Sequence, residues 1–116
     1  MNMATGPAKR EFVYIAGPIS GIDGENREAF EEAMSDVYFS WRKEPVSPHD
    51  ICAEVKNGTW LTYMAKCVPA LMQCNAIYLL RGWWWSRGAR WEFVIARFLC
   101  RLPVTFQGGF WGGFRR

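Results

Sequence analysis

The chain has one histidine, His49, in 116 residues, and its four cysteines, Cys52, Cys67, Cys74 and Cys100, include no close CxxC pair. Without clustered imidazole or thiolate ligands the sequence offers no metal centre, and no cofactor is expected; the thiols suit reduced, packed side chains of a cytoplasmic protein. No apolar run approaches the roughly 18 residues of a membrane span, so a soluble chain with no membrane partner is predicted. The first ten residues, Met1 to Arg10, lack the apolar centre of a secretory signal, which argues against export. Charge of one sign is scarce too: 14 Lys and Arg against 11 Asp and Glu leave +3, partly carried by Arg115 and Arg116. That balance suits an anionic ligand and gives no reason to expect nucleic acid.

Half of the residues are hydrophobic and 16% are aromatic, which excludes disorder, and the length suits one core rather than two. The organisation read from the chain is a flexible lead over 1–10, a single domain over 11–106 and a Gly/aromatic/Arg tail over 107–116.

Phe12-Val13-Tyr14-Ile15-Ala16 is apolar, β-branched and aromatic and stops at Gly17-Pro18, which predicts a buried first strand. Gly17-Pro18-Ile19-Ser20-Gly21 then combines two glycines with a hydroxyl, either a ligand loop whose N–H groups face a substrate or a plain turn. From Asn26, read as an N-cap, Ala29, Phe30, Ala33, Met34, Val37, Tyr38 and Trp41 recur at helical spacing, with an acidic outer face that reads as solvated. Glu44-Pro45-Val46-Ser47-Pro48 holds only a short strand, because each proline removes a donor. His49 and Asp50 follow at its carboxyl end, where ligands gather in open parallel sheets; a polar loop in which Asp50 caps the next turn is the alternative. Thr59 to Cys74 reads as a second helix, with a kink or break expected near Cys67 because of Pro69. Ala76-Ile77-Tyr78-Leu79-Leu80 is the clearest buried strand, and Leu102 to Phe106 gives a short last one. The repeated strand–helix–strand order predicts an α/β fold with a parallel sheet flanked by helices.

Between the third strand and the last helix lies Ser86-Arg87-Gly88-Ala89-Arg90-Trp91-Glu92. With Ala89 to Arg101 drawn as a helix at about 100° per residue, Glu92 falls between Ala96 and Leu99 on the inward side, and Arg90 and Arg97 point outward. A carboxylate turned toward a core requires a partner or a function, since removing water from a charge costs several kcal/mol. The preceding Trp83, Trp84 and Trp85 cannot all bury one way, so at least one faces a ligand, a neighbouring subunit or solvent.

Three blocks, Tyr14 to Gly21, Ser47-Pro48-His49-Asp50 and Cys74 through Glu92, together resemble the nucleoside 2-deoxyribosyltransferase superfamily, and within it the small, often phage-encoded DUF4406 group, over roughly residues 12 to 106. The resemblance implies a small Rossmann-like parallel sheet flanked by helices, a homodimer or higher homo-oligomer, and a nucleoside or nucleotide ligand. It implies that Glu92 is the nucleophile that attacks the anomeric carbon as the base departs, a second base or water then releasing the sugar. It also places Gly17, Ile19, Ser20 and Gly21 beside the nucleotide, and Ser86, Arg87 and Gly88 against its sugar or phosphate. Asn75 would lie at the substrate where relatives commonly carry aspartate, leaving Asp50 and His49 as acids to assist the leaving base. Near the helix start the dipole favours an anion, so Glu92 is expected deprotonated near neutral pH. The expected function is therefore an N-glycosidic bond enzyme, a 2-deoxyribosyltransferase or a deoxynucleotide N-hydrolase, with a non-catalytic nucleotide-binding protein as the alternative. An RNA-binding module using the tail is a third reading.

Overall fold

The computed structural model describes residues 10–19, 23–53 and 59–107. Four strands, β1 (Phe12–Ala16), β2 (Glu44–Val46), β3 (Ala76–Leu79) and β4 (Val104–Phe106), form one parallel sheet in the order β2-β1-β3-β4. Tyr14 stands between Val46 and Ile77, and Ala16 pairs with Leu79. The helices α1 (Arg27–Ser35), α2 (Pro48–Ile51), α3 (Trp60–Met72) and α4 (Arg87–Val94) connect the strands. This is the expected α/β fold, a small Rossmann-like parallel sheet flanked by helices.

The strand pattern sets the two cores. Successive side chains of β1 point to opposite faces, so Val13 and Ile15 join Phe30, Ala33 and Val37 of the α1 side. Tyr14 and Ala16 join Cys67 and Leu71 of α3 and Ala89 of α4 on the other. Both faces are covered, as a parallel sheet requires.

Local details depart from the sequence reading. Asn26 sits at the α1 entry in a left-handed conformation and makes no side-chain cap; its amide instead donates to the Pro18 carbonyl at 2.9 Å. Helix α3 runs unbroken through Pro69, because Met64, Cys67 and Leu71 are buried and their packing offsets the missing hydrogen bond. Helix α1 and helix α4 each pass into a π-helical turn, Asp36–Ser40 and Ile95–Leu99. The wider turn carries Leu99 outward, to 76% exposure, although straight helical spacing places it beside Glu92 on the inward side. Among the described residues no helix is long and apolar enough to cross a membrane.

Candidate functional site

The connection from β1 crosses to β2 on one side while β3 and β4 lie on the other, so the topological switch point, where open parallel sheets form their ligand crevice, falls at the carboxyl ends of β1 and β3. Gly17 and Leu80 meet there. A Cβ on Gly17 would lie 2.8 Å from Leu80 Cβ, so only glycine permits this approach. Gly82 follows with φ +89, and a Cβ there would lie 3.5 Å from Pro18, so the two loops abut. A short 3-10 turn, Trp83–Trp85, then leads into α4 with Trp83 buried and Trp85 79% exposed. The tryptophan run thus divides between core and solvent.

Ser86 caps α4, its hydroxyl accepting from the Ala89 N–H at 3.1 Å. The Arg87 guanidinium stacks 3.9 Å from the centre of the Trp60 ring, at the start of α3. Trp60 also has a buried indole N–H without a hydrogen-bond partner among the described residues, and a Cβ on Gly88 would lie 3.7 Å from it. The α4 entry therefore brings together free helix N–H groups, one guanidinium and one indole donor. These are groups suited to an anion or a polar sugar edge. Arg90 points outward as read from the sequence, and its guanidinium donates to the Trp84 carbonyl at 3.2 Å.

Glu92, one turn and a half into the helix, is 3% exposed. The Tyr14 hydroxyl donates to its Oε2 at 2.5 Å. Burial raises the carboxyl from its ordinary 4.5 to about 8, and the Tyr14 hydrogen bond works the other way without reversing it. That direction runs against the expectation of a carboxylate ionised near neutral pH, because burial penalises the charged form. Tyr14 is pushed well above its usual range, first by burial and then by the charge of Glu92.

The other sequence-predicted residues lie apart from this pair. His49 follows β2 and packs its ring edge-on against Phe30, centroids 4.6 Å apart, on the α1 side of the sheet. Asp50 is exposed, and Ile19 packs against the α1-side core. Ser47, not Asp50, caps α2, its hydroxyl accepting from the His49 N–H. Asn75 is not brought to the crevice. It precedes β3 at the amino-terminal edge of the sheet, where its Oδ1 accepts from the Phe12 N–H at 2.8 Å. Five residue steps of extended chain, about 16 Å, separate it from Leu80. Ser20 and Gly21 lie outside the described residues. No three His, Cys, Asp or Glu side chains gather as metal ligands among the described residues. An open groove of about 430 Å³ between α1 and β2, walled by Met34, Tyr38, Phe39 and Pro45, is remote from Glu92 and contains no residue proposed from the sequence.

The family described as a domain of unknown function, DUF4406, matches residues 11–106. The chain belongs to the DUF4406 family. No curated protein matches this DUF4406 chain by sequence. Among solved structures it is similar to a 2-deoxyribosyltransferase from the psychrotolerant bacterium Bacillus psychrosaccharolyticus, described as a biocatalyst for the synthesis of antiviral and antitumoral nucleosides. The TM-score is 0.61 at 17% identity, covering 82% of this chain and 70% of that one. The DUF4406 domain thus has a 2-deoxyribosyltransferase-like fold.

Tyr14 and Trp60 were not picked out as site residues by motif or composition. One signal was present: Tyr14 carries the single hydroxyl in an otherwise apolar strand, and a buried tyrosine hydroxyl usually has a partner. Trp60 carried none, because its approach to Gly88 depends on how α3 packs against α4.

Proposed function

We propose that the chain binds a nucleoside or nucleotide in the crevice beyond β1 and β3 and acts on its N-glycosidic bond, with Glu92 as nucleophile. The observation that carries this reading is the buried Glu92 carboxyl held by Tyr14 behind the α4 entry. The ionised carboxyl attacks the anomeric carbon, the bond to the base breaks, and the base leaves with the electron pair and takes up a proton. Water or a second base then displaces Glu92 from the sugar. Ser86, Arg87 and Gly88, with the Trp60 N–H, supply donors for the sugar or a phosphate. Gly17 keeps the first loop close to Leu80. A substrate that develops positive charge at the anomeric carbon favours the anionic form of Glu92 that burial otherwise suppresses.

Incubation with a panel of 2-deoxynucleosides and their monophosphates, read by chromatography of free base, tests the reading. Base release by the wild-type chain and its loss by a factor of about 10³ or more in Glu92→Gln is expected. Equal release by both proteins overturns the assignment of Glu92.

The burial of Glu92 favours a second reading, binding without turnover. A carboxyl raised to about 8 is mostly protonated at neutral pH and is then a poor nucleophile. Saturable nucleotide binding, with no free base across pH 6 to 9, identifies that second reading. Asn75 no longer bears on the choice, since its side chain bonds the backbone of β1.

The functional unit includes a second copy of the chain. Trp91, Val94 and Phe98 form one face of α4 and its π turn and stand 52%, 39% and 65% exposed, an apolar stripe unusual on a solvated helix.

A further inference from the structure

The groove of about 430 Å³ between α1 and β2 has apolar walls and an acidic rim. Phe39 and Tyr38 stand 69% and 40% exposed along it beside Met34 and Pro45, and Glu31 and Glu44 border it. Glu28, Glu31, Glu32 and Ser35 share one face of α1 by helical spacing, so an acidic stripe runs into the groove. One guanidinium is already held at this rim. Arg10 lies 4.3 Å from the centre of the Tyr38 ring, donates to the Tyr38 carbonyl at 3.1 Å and stands 3.8 Å from Glu44 Oε2. Ring face, carbonyl and carboxylate together are the groups that recognise arginine.

The adjoining sheet edge does not favour an added strand. The Glu44 N–H turns inward to the Glu11 carbonyl at 2.9 Å, so the next residue of β2, Pro45, faces outward and offers no N–H. Recognition here falls to side chains.

We propose that this groove takes the aromatic and arginine segment 108–116 of a second copy of the chain. Phe110, Trp111 and Phe114 meet Met34, Tyr38 and Phe39, and Arg115 and Arg116 meet Glu31 and the acidic stripe of α1. The segment lies outside the described residues, and its composition is complementary to the groove in both respects, aromatic to apolar and basic to acidic.

Reach selects a second copy over the chain's own segment. The edges β2 and β4 are three strand spacings apart, about 14 Å. Gln107, whose N–H donates to the Leu79 carbonyl at 2.8 Å, lies just past the carboxyl end of β4, four residues or about 13 Å beyond the level of Pro45. The diagonal is roughly 19 Å, whereas Phe110 and Trp111 extend at most about 11 and 14 Å from Gln107. The direct line is also filled by the core between α1 and the sheet. A contact of one short segment is small and dissociates on dilution, so the mass of a dilute sample reports the α4 face and not this one. The proposal does not depend on the glycosidic reading.

The full-length chain is titrated into a labelled peptide of residues 107–116 and followed by fluorescence anisotropy. Saturable micromolar binding is expected, weaker by at least about tenfold for full-length Phe39→Lys, which removes an exposed ring and adds a charge of the arginines' own sign. A peptide carrying Arg115→Glu and Arg116→Glu, which leaves the folded chain untouched, is expected to lose about tenfold as well. In a second arm the full chain carries a photoreactive benzophenone side chain in place of Trp111. Illumination is expected to give a product of twice the chain mass, linked to α1, its π turn or β2. No saturation up to about 1 mM, or unchanged affinity in both variants, overturns the proposal. A link within one chain, or to α4, overturns it too.

Discussion

Glu92 and Tyr14 share one buried hydrogen bond, and their chemistry follows from that. Tyr14→Phe removes the donor that lowers the carboxyl's pKa. The midpoint of base release against pH therefore moves above about 8, and kcat at pH 7 falls at least tenfold. A pH–rate profile of both proteins checks this, and an unchanged midpoint contradicts it. Stability has its own pH signature. Folded Glu92 keeps its proton up to about 8, while the unfolded chain loses it near 4.5, so between these values the folded state binds more protons. The contribution is complete below 4.5 and is lost as pH rises through 8. Glu92→Gln accepts from Tyr14 without titrating, so its melting temperature changes less with pH. Melting curves at pH 5.5 and 9 should show the wild type falling on the order of 10 °C more than the variant, corresponding to about 3 kcal/mol.

At the scale of elements, the end of β1 determines whether a crevice exists. Leu80 N–H donates to the Ala16 carbonyl at 2.8 Å, which continues the β1–β3 pairing to the point where Gly17 passes Leu80. Gly17→Ala forces its Cβ against the Leu80 side chain and costs about 2 kcal/mol. Thermal unfolding should show the loss. Ligand affinity should fall with it, because the loop is displaced from Leu80. Much of this level was legible in advance. All four strands and the three longer connecting helices were readable from apolar runs and spacing, and Ser47, Thr59 and Ser86 are side-chain caps of the kind sequence favours. The π turns and the unbroken passage through Pro69 were not readable, because tertiary packing outweighs local preference at those points.

For the whole molecule, the outer face of α4 is the feature still to be accounted for. It lies on the reverse of the helix that holds Glu92, so association through it would fix the position of the site's own helix. Phe98→Glu puts a charge in the exposed stripe at no cost to the core, since Phe98 is 65% exposed. Light scattering after size exclusion should show the wild type as at least a dimer and Phe98→Glu at monomer mass, with both proteins folded by circular dichroism. A wild-type monomer at high concentration contradicts the second-copy reading.

Periodicity, turn residues and a single inward acid were enough to determine an α/β parallel sheet and to single out Glu92, because backbone direction and helical facing follow from local spacing. Four further matters needed the third dimension. Tyr14 lies 78 residues before Glu92 and reaches it only because β1 is central in the sheet. Asn75 looked like a site residue in the linear motif, but a strand has two ends and it lies at the other one. The charge state of Glu92 depends on how completely neighbouring elements exclude water, a property of packing that no spacing encodes. The Cys52 and Cys67 sulfurs lie 3.5 Å apart because of how α2 sits against α3, so two cysteines with no recognisable motif become neighbours only in the folded chain.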